Sequence, residues 1–133
     1  MKYIIASGPV IIEEGKLLVS KDNKDDFYKI PGGTMNIGED LEKVCIRETK
    51  EEINADIEII KPLNPILIYK NPQTGEEMTI LLLHYEAKLK NKDELKKGQD
   101  IQEIKWLNIG EIKQGKYKVA PNILKLIEKG DIK

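Results

Sequence analysis

Three carboxylates at helical spacing are the most chemically suggestive feature of this chain. Glu48, Glu51 and Glu52 lie within residues 33–55, GTMNIGEDLEKVCIRETKEEINA. On an α-helix, positions i, i+3 and i+4 share one face. Like charges so placed repel, and each i,i+4 pair costs roughly a few tenths of a kcal/mol even when solvated. A bound hard cation reverses that effect. Oxygen-only donors suit Mg²⁺ or Mn²⁺, and Mg²⁺ commonly takes one or two carboxylates together with substrate phosphate. A solvated acidic helix face is the plain alternative.

The helix that must carry these acids is legible. Gly38 ends the preceding loop, and Glu39 and Asp40 place acid in the first turn. Leu41, Val44, Cys45 and Thr49 then recur at helical spacing, which predicts a helix over residues 39–53. The three glutamates fall on the shoulder of that apolar stripe, where the helix meets the rest of the fold. Upstream, residues 27–30 predict a short strand leading into Pro31-Gly32-Gly33, whose glycines allow close backbone approach to a ligand.

The stretch resembles the Nudix box, G-x5-E-x7-R-E-U-x-E-E-x-G-U, where U is a bulky apolar residue. Gly33, Glu39, Arg47, Glu48, Glu51 and Glu52 all fall in register. Tyr28-Lys29-Ile30-Pro31-Gly32-Gly33 is similar to the aromatic-x-apolar-Pro-Gly-Gly lead-in of that family. Thr49 and Ala55 are smaller or more polar than the usual U residues. Asn54 replaces a glycine that would be left-handed at the helix end, a position asparagine tolerates best after glycine. The resemblance implies an α/β fold, an α/β/α sandwich with a mixed sheet between helices. It also implies metal ligation by Glu48, Glu51, Glu52 and the carbonyl of Gly32. Arg47 would brace the catalytic glutamates, and Glu39 would be structural. A further acid from a late loop is implied too, with Asp100 favoured over Glu103 and Glu94. From spacing alone, Arg47 can pair with Glu51 and Glu39 with Lys43.

The remaining sequence bounds these readings. At 133 residues the chain is read as one domain spanning 1–133. With 22 basic and 23 acidic residues it carries no long basic block, so nothing signals a nucleic-acid surface. No apolar run reaches membrane-spanning length, and the apolar N-terminus breaks at Gly8-Pro9, reading as a strand rather than a signal peptide. The single cysteine, Cys45, falls on the buried stripe, and a chain without a possible internal disulfide fits a reducing cytoplasm. A homodimer stays open.

Taken in order, residues 3–12 and 16–20 read as a hairpin about Glu13-Glu14-Gly15. After the first helix come strands at 56–61 and 66–69, a turn at 71–75, and a long strand at 78–89. Along that strand Leu81, Leu83, Tyr85, Ala87 and Leu89 alternate with Ile80, Leu82, His84 and Glu86. Residues 91–98 form a charged loop, read with Asp100 as a mobile lid. A strand at 101–107 and a helix at 120–129 complete the order β-β-α-β-β-β-α.

Outside the box, Phe27, Tyr69 and Tyr85 have faces that could stack on a nucleobase, against core packing as the competing reading. His84, the only histidine, is a site candidate or a core residue, and Trp106 reads as core. Asn122 could read a base edge with its amide or serve the start of the last helix.

The function expected is Mg²⁺-dependent hydrolysis, with Mn²⁺ as the other suitable ion. The substrate class is a nucleoside diphosphate linked to another moiety, with small nucleotides as the partners. Water attacks one phosphorus and the P–O–P bond breaks, with Glu52 or Glu48 orienting or deprotonating the water. The compact length resembles mutator-type nucleoside triphosphate pyrophosphatases. Dinucleoside polyphosphates, ADP-ribose, nucleotide sugars and capped RNA ends remain alternatives. A catalytically silent, nucleotide-binding regulatory Nudix domain is the competing reading.

Overall fold

The computed structural model describes residues 2–133. Its centre is one long strand, β7 (Glu77–Leu89), which every other strand of the main sheet except one touches directly. β1 (Tyr3–Val10) runs parallel to it, from Tyr3 opposite Thr79 to Val10 opposite Glu86. Along the other edge of β7, β5 (Ile57–Pro62) pairs with its C-terminal half and β6 (Ile66–Lys70) with its N-terminal half, both antiparallel. β4 (Gly33–Thr34) adds to the outer edge of β1. A second, antiparallel sheet joins β2 (Ile12–Glu13), β3 (Lys16–Asp22) and β8 (Ile101–Asn108) in that order.

The apolar alternation of β7 explains why the sheet is covered on both faces. Met78, Ile80 and Leu82 point into one core with Ile66, Leu107, Ile123 and Leu126. Leu83, Tyr85, Ala87 and Leu89 point into another with Ile11, Leu18, Cys45 and Ile53. Successive side chains of a strand face opposite ways, so one strand serves both cores. Helix α1 (Leu41–Ile53) covers the second core, and α3 (Pro121–Glu128) covers the first. The result is the expected α/β/α sandwich around mixed sheet. Each fully buried leucine or isoleucine contributes roughly 1.5–3 kcal/mol.

Several local expectations change. The strand at the N-terminus does not fold back on β3; it enters the main sheet, and the hairpin about Glu14-Gly15 is only β2 with β3. The chain crosses between sheets at the buried Ile11, whose carbonyl accepts from Leu18 N–H at 3.0 Å. α1 begins at Leu41, not Glu39, because the side chain of Asp40 caps it by accepting from Lys43 N–H at 2.9 Å. Such a cap is worth about 1 kcal/mol. Asn54 ends the helix in the left-handed conformation, φ 57° and ψ 30°. Residues 27–30 make only isolated bridges, Lys29 with Ser20 and Tyr28 with Val119. A short helix, α2 (Ile109–Lys113), follows β8, too brief for a periodic signal and capped by the side chain of Asn108.

The charged loop is not free. Lys96 N–H donates to Ile53 O at 3.0 Å and Gly98 N–H to Glu52 O at 2.7 Å. These are carbonyls that the end of a helix leaves without intrahelical partners. Asn91 and Asn54 add side-chain bonds from the same loop to the same helix end. A β-carbon on Gly98 would lie 2.7 Å from Glu51 O, so only glycine permits this approach.

Candidate active site

The box helix lies with its acids under the Pro31-Gly32-Gly33 turn. That turn is held against β1 by backbone packing. A β-carbon on Gly32 would collide with Ser7 O, and one on Gly8 with Pro31 O. A β-carbon on Gly33 would collide with the carboxylate of Glu48. Glycine at 33 therefore lets Glu48 lie flat against the backbone. Gly32 N–H points at Glu52 Oε1, 3.4 Å away.

Arg47 organises one side of the acids. Its Nε and Nη2 each donate to Glu39 at 2.8 Å, and its Nη1 donates to Glu48 at 2.8 Å and reaches Glu51 at 3.4 Å. Planar, bidentate pairing of this kind is the speciality of the guanidinium group. Bonding to Arg47 and to Asn36 N–H holds the Glu39 carboxyl down at about 2. Glu39 thus pairs with Arg47 from outside the helix instead of with Lys43 along it, since it precedes the N-cap.

Glu52 is partly buried, with 17% of its side chain exposed against 18% for Glu48 and 58% for Glu51. Burial pushes its carboxyl up to about 7, and the charges of Asp22 and Glu48 push the same way, while Lys29 and Gly32 N–H act against them. Lys29 Nζ stands 3.6 Å from Glu52 Oε1 and 3.2 Å from Asp22 Oδ1. Burial opposes the charge on Lys29, but Glu52 and Asp22 outweigh it and raise its pKa above the ordinary value. Asp22 had no signal in the sequence. It belongs to no motif, and only the pairing of β3 with β8 carries it to the acids.

Asp22, Glu48, Glu51 and Glu52 line one small cleft with Gly98, Gln99 and Asp100. Asp100 sits there on the strength of two backbone bonds, Asn23 N–H to Asp100 O at 3.0 Å and Ile101 N–H to Gly98 O at 3.2 Å. Glu103 does not line it. Its carboxylate accepts from Tyr28 OH at 3.1 Å and pairs with Lys21 and Lys105. Glu94 lies in the single 3-10 turn Lys92–Glu94, where its carbonyl accepts from Asn54. Among the described residues no three acids yet converge as ligands of one ion; Lys29 and Arg47 stand between them. The donor set nonetheless fits a hard divalent cation. It is all oxygen, it includes the partly buried carboxylate of Glu52, and one of its two counter-ions, Lys29, is held only at 3.2 and 3.6 Å.

A second, largely apolar cleft is lined in part by Gly32 and Gly33. Phe27, Ile80, Leu82, His84, Asn122 and Lys29 are among its lining residues. His84 is buried at 2% exposure, and Asn122 Nδ2 lies 3.0 Å from its Nε2. Tyr69 stands away from this cleft, 66% exposed, and Tyr85 is buried in the core under α1. Trp106 packs partly buried against that same core, with Lys92 Nζ 5.2 Å from its ring. The Asn71–Gly75 turn also lines the cleft, and Gln73 reaches across to Asp22 at 2.7 Å and Asp25 at 2.9 Å. Neither Lys29 nor Gln73 carries a sequence signature, because their importance is positional.

A mixed-sheet sandwich that sets a glutamate-bearing helix under a Pro-Gly-Gly turn is the architecture of a phosphoanhydride hydrolase of the Nudix type. The chain belongs to the NUDIX family: residues 2–129 match the NUDIX domain. It is 25% identical over 117 residues to an RNA pyrophosphohydrolase of Pelagibacter ubique (strain HTCC1062), covering 77% of this chain and 74% of that one. It is 26% identical over 125 residues to Nudix hydrolase 5 of Arabidopsis thaliana, spanning 89% of this chain but 41% of that one. Among solved structures, a NUDIX hydrolase from Nitrosomonas europaea superposes with a TM-score of 0.77 at 20% identity, covering 96% of this chain and 87% of that one. A C. elegans Ap4A hydrolase superposes with a TM-score of 0.73 at 24% identity, covering 96% and 95%. The structural likenesses show the fold. The enzyme class is that of the Nudix pyrophosphohydrolases, which act on phosphoric anhydrides. Among the described residues, no helix is long and apolar enough to cross a membrane.

Proposed function

We propose that the protein hydrolyses the pyrophosphate linkage of a nucleoside diphosphate joined to another moiety, with Mg²⁺ as the resident ion and Mn²⁺ able to replace it. The observation that carries this reading is the adjacency of an apolar and an acidic cleft: Lys29, Gly32 and Gly33 line the first and lie against Asp22, Glu52 and Glu48, which line the second. An apolar cleft with a few convergent polar groups suits a base, and the acidic cleft suits ion-bound phosphate.

Glu48, Glu51 and Glu52, with the carbonyl of Gly32, would hold the ion, and Asp22 and Asp100 face the same space from two other elements. The ion, when bound, neutralises phosphate charge and lowers the pKa of the attacking water. Arg47 fixes Glu48 in place. Glu52 or Glu48, through an oxygen the ion leaves free, orients or deprotonates the attacking water. Phe27 stacks on the base, and His84 and Asn122 meet its edge. One relative is named an RNA pyrophosphohydrolase and one structural neighbour an Ap4A hydrolase, so both substrate kinds belong in the test.

Product analysis over a panel of nucleoside triphosphates, dinucleoside polyphosphates, ADP-ribose, nucleotide sugars and 5′-triphosphorylated RNA, with and without Mg²⁺, tests this. Turnover of at least one free nucleotide that disappears with chelator is expected. No hydrolysis of any of them would refute the reading.

A further inference from the structure

Lys29 has two faces. Its side chain lines the apolar cleft, and its ammonium ends among the acids of the other cleft. Among the described lining residues of the apolar cleft it is the one that carries a lysine, arginine, aspartate or glutamate charge. Its backbone is fixed by two bonds with Ser20, Ser20 N–H to Lys29 O at 2.9 Å and Lys29 N–H to Ser20 O at 2.8 Å. The root of the side chain is therefore anchored while four methylenes remain to swing its tip.

The contacts at the tip are loose. Nζ stands 3.2 Å from Asp22 and 3.6 Å from Glu52, whereas Arg47 meets Glu39 and Glu48 at 2.8 Å. Charge-assisted bonds at full strength are about 2.7–2.9 Å long. A compact ammonium with three rotatable donors exchanges partners more readily than a forked guanidinium. Arg47 is built to stay and Lys29 to leave.

We propose that Lys29 is a phosphate-binding residue that alternates between two partners. Without an ion it serves as counter-charge to Asp22 and Glu52. When a divalent ion takes those carboxylates, the like charge displaces the ammonium, which turns to the substrate diphosphate crossing from the apolar cleft to the acidic one. This rests on the proposed function, from which it takes the ion and the diphosphate. No bond forms or breaks in the exchange; one ion pair replaces another.

The consequence is a pair of opposite effects, which a purely structural lysine could not produce. Calorimetric titration of Lys29→Gln with Mn²⁺ alone should show tighter ion binding than wild type, by roughly tenfold, because a competing positive charge is gone. Titration of the Mn²⁺-saturated variant with methylenediphosphonate, a non-hydrolysable diphosphate, should show binding weaker by roughly tenfold. Lys29→Arg, which keeps the charge, should restore most of the diphosphonate affinity. Weaker binding of both probes would make Lys29 structural and overturn the proposal. Tighter ion binding with unchanged diphosphonate affinity would make it a counter-ion only and overturn it equally.

Should Lys29→Gln fail to fold, the wild-type protein supplies the test. The ¹³C-methylated Lys29 resonance, assigned by its loss in Lys29→Arg, should move on adding Mg²⁺ and again on adding methylenediphosphonate. Absence of the second movement would refute the exchange. Wild type that binds neither ion nor diphosphonate would instead bring down the proposed function along with it.

Discussion

Asn122 and His84, thirty-eight positions apart, meet at the bottom of the apolar cleft, with Nδ2 of one 3.0 Å from Nε2 of the other. The ring is buried at 2% exposure, and burial holds its pKa at about 4, below the ordinary 6.5, with Asp131 opposing the shift. A histidine kept neutral by the fold stabilises it fully above 6.5. As pH falls from 6.5 toward 4, the unfolded chain takes up a proton that the folded chain refuses, and that stability is lost. The loss is on the order of 3 kcal/mol. Urea unfolding at several pH values should show it as a difference between wild type and His84→Gln. Parallel curves for the two proteins would mean that His84 does not titrate this way.

Glu52→Gln should fold as well as wild type near pH 7, within about 1 kcal/mol, because burial already drives this carboxyl toward its neutral form. Turnover should fall by roughly 10²-fold or more, as for loss of a general base or ion ligand. Melting curves and single-turnover kinetics check both halves. Near wild-type turnover at saturating Mg²⁺ would remove Glu52 from the essential set.

Two glycines should respond differently to alanine. At Gly33 the new β-carbon meets the end of the Glu48 side chain, which can swing aside. Gly33→Ala should therefore change stability by less than about 1 kcal/mol while weakening Mn²⁺ binding and turnover. At Gly98 the new β-carbon meets the backbone carbonyls of Glu51 and Glu52, at 2.7 and 3.0 Å, which cannot move alone. Gly98→Ala should cost about 1–3 kcal/mol in denaturant unfolding. Equal stability losses for the two variants would contradict the assigned contacts.

Asp100 is exposed and faces the acidic cleft, whereas Glu103 is spent on Tyr28 and two lysines. Asp100→Asn is expected to lower turnover at limiting Mg²⁺ with little change in melting temperature. Glu103→Gln serves as the matched control and should keep its activity. The reverse pattern would place the late acid on β8.

Residues 33–55 could be read directly because a helix imposes its own geometry. The spacing of Glu48, Glu51 and Glu52 means one face wherever the helix lies, and Asn54 met its left-handed end because local sterics decide it. The two apolar registers of β7 were equally plain, since period-two alternation needs no partner to be recognised. What chain order could not supply was which strands pair. β1 beside β7 instead of β3, and β3 beside β8, follow from burying both faces of β7, which is a property of the assembled sandwich. Those pairings carry Asp22 to Glu52, stretch Lys29 between two clefts, bring Gln73 onto Asp22 and set Asn122 against His84. The acids and the helix that bears them are local properties of the chain. Their surroundings arise on assembly of the two sheets, because contacts between distant residues depend on which packing removes the most apolar surface from water.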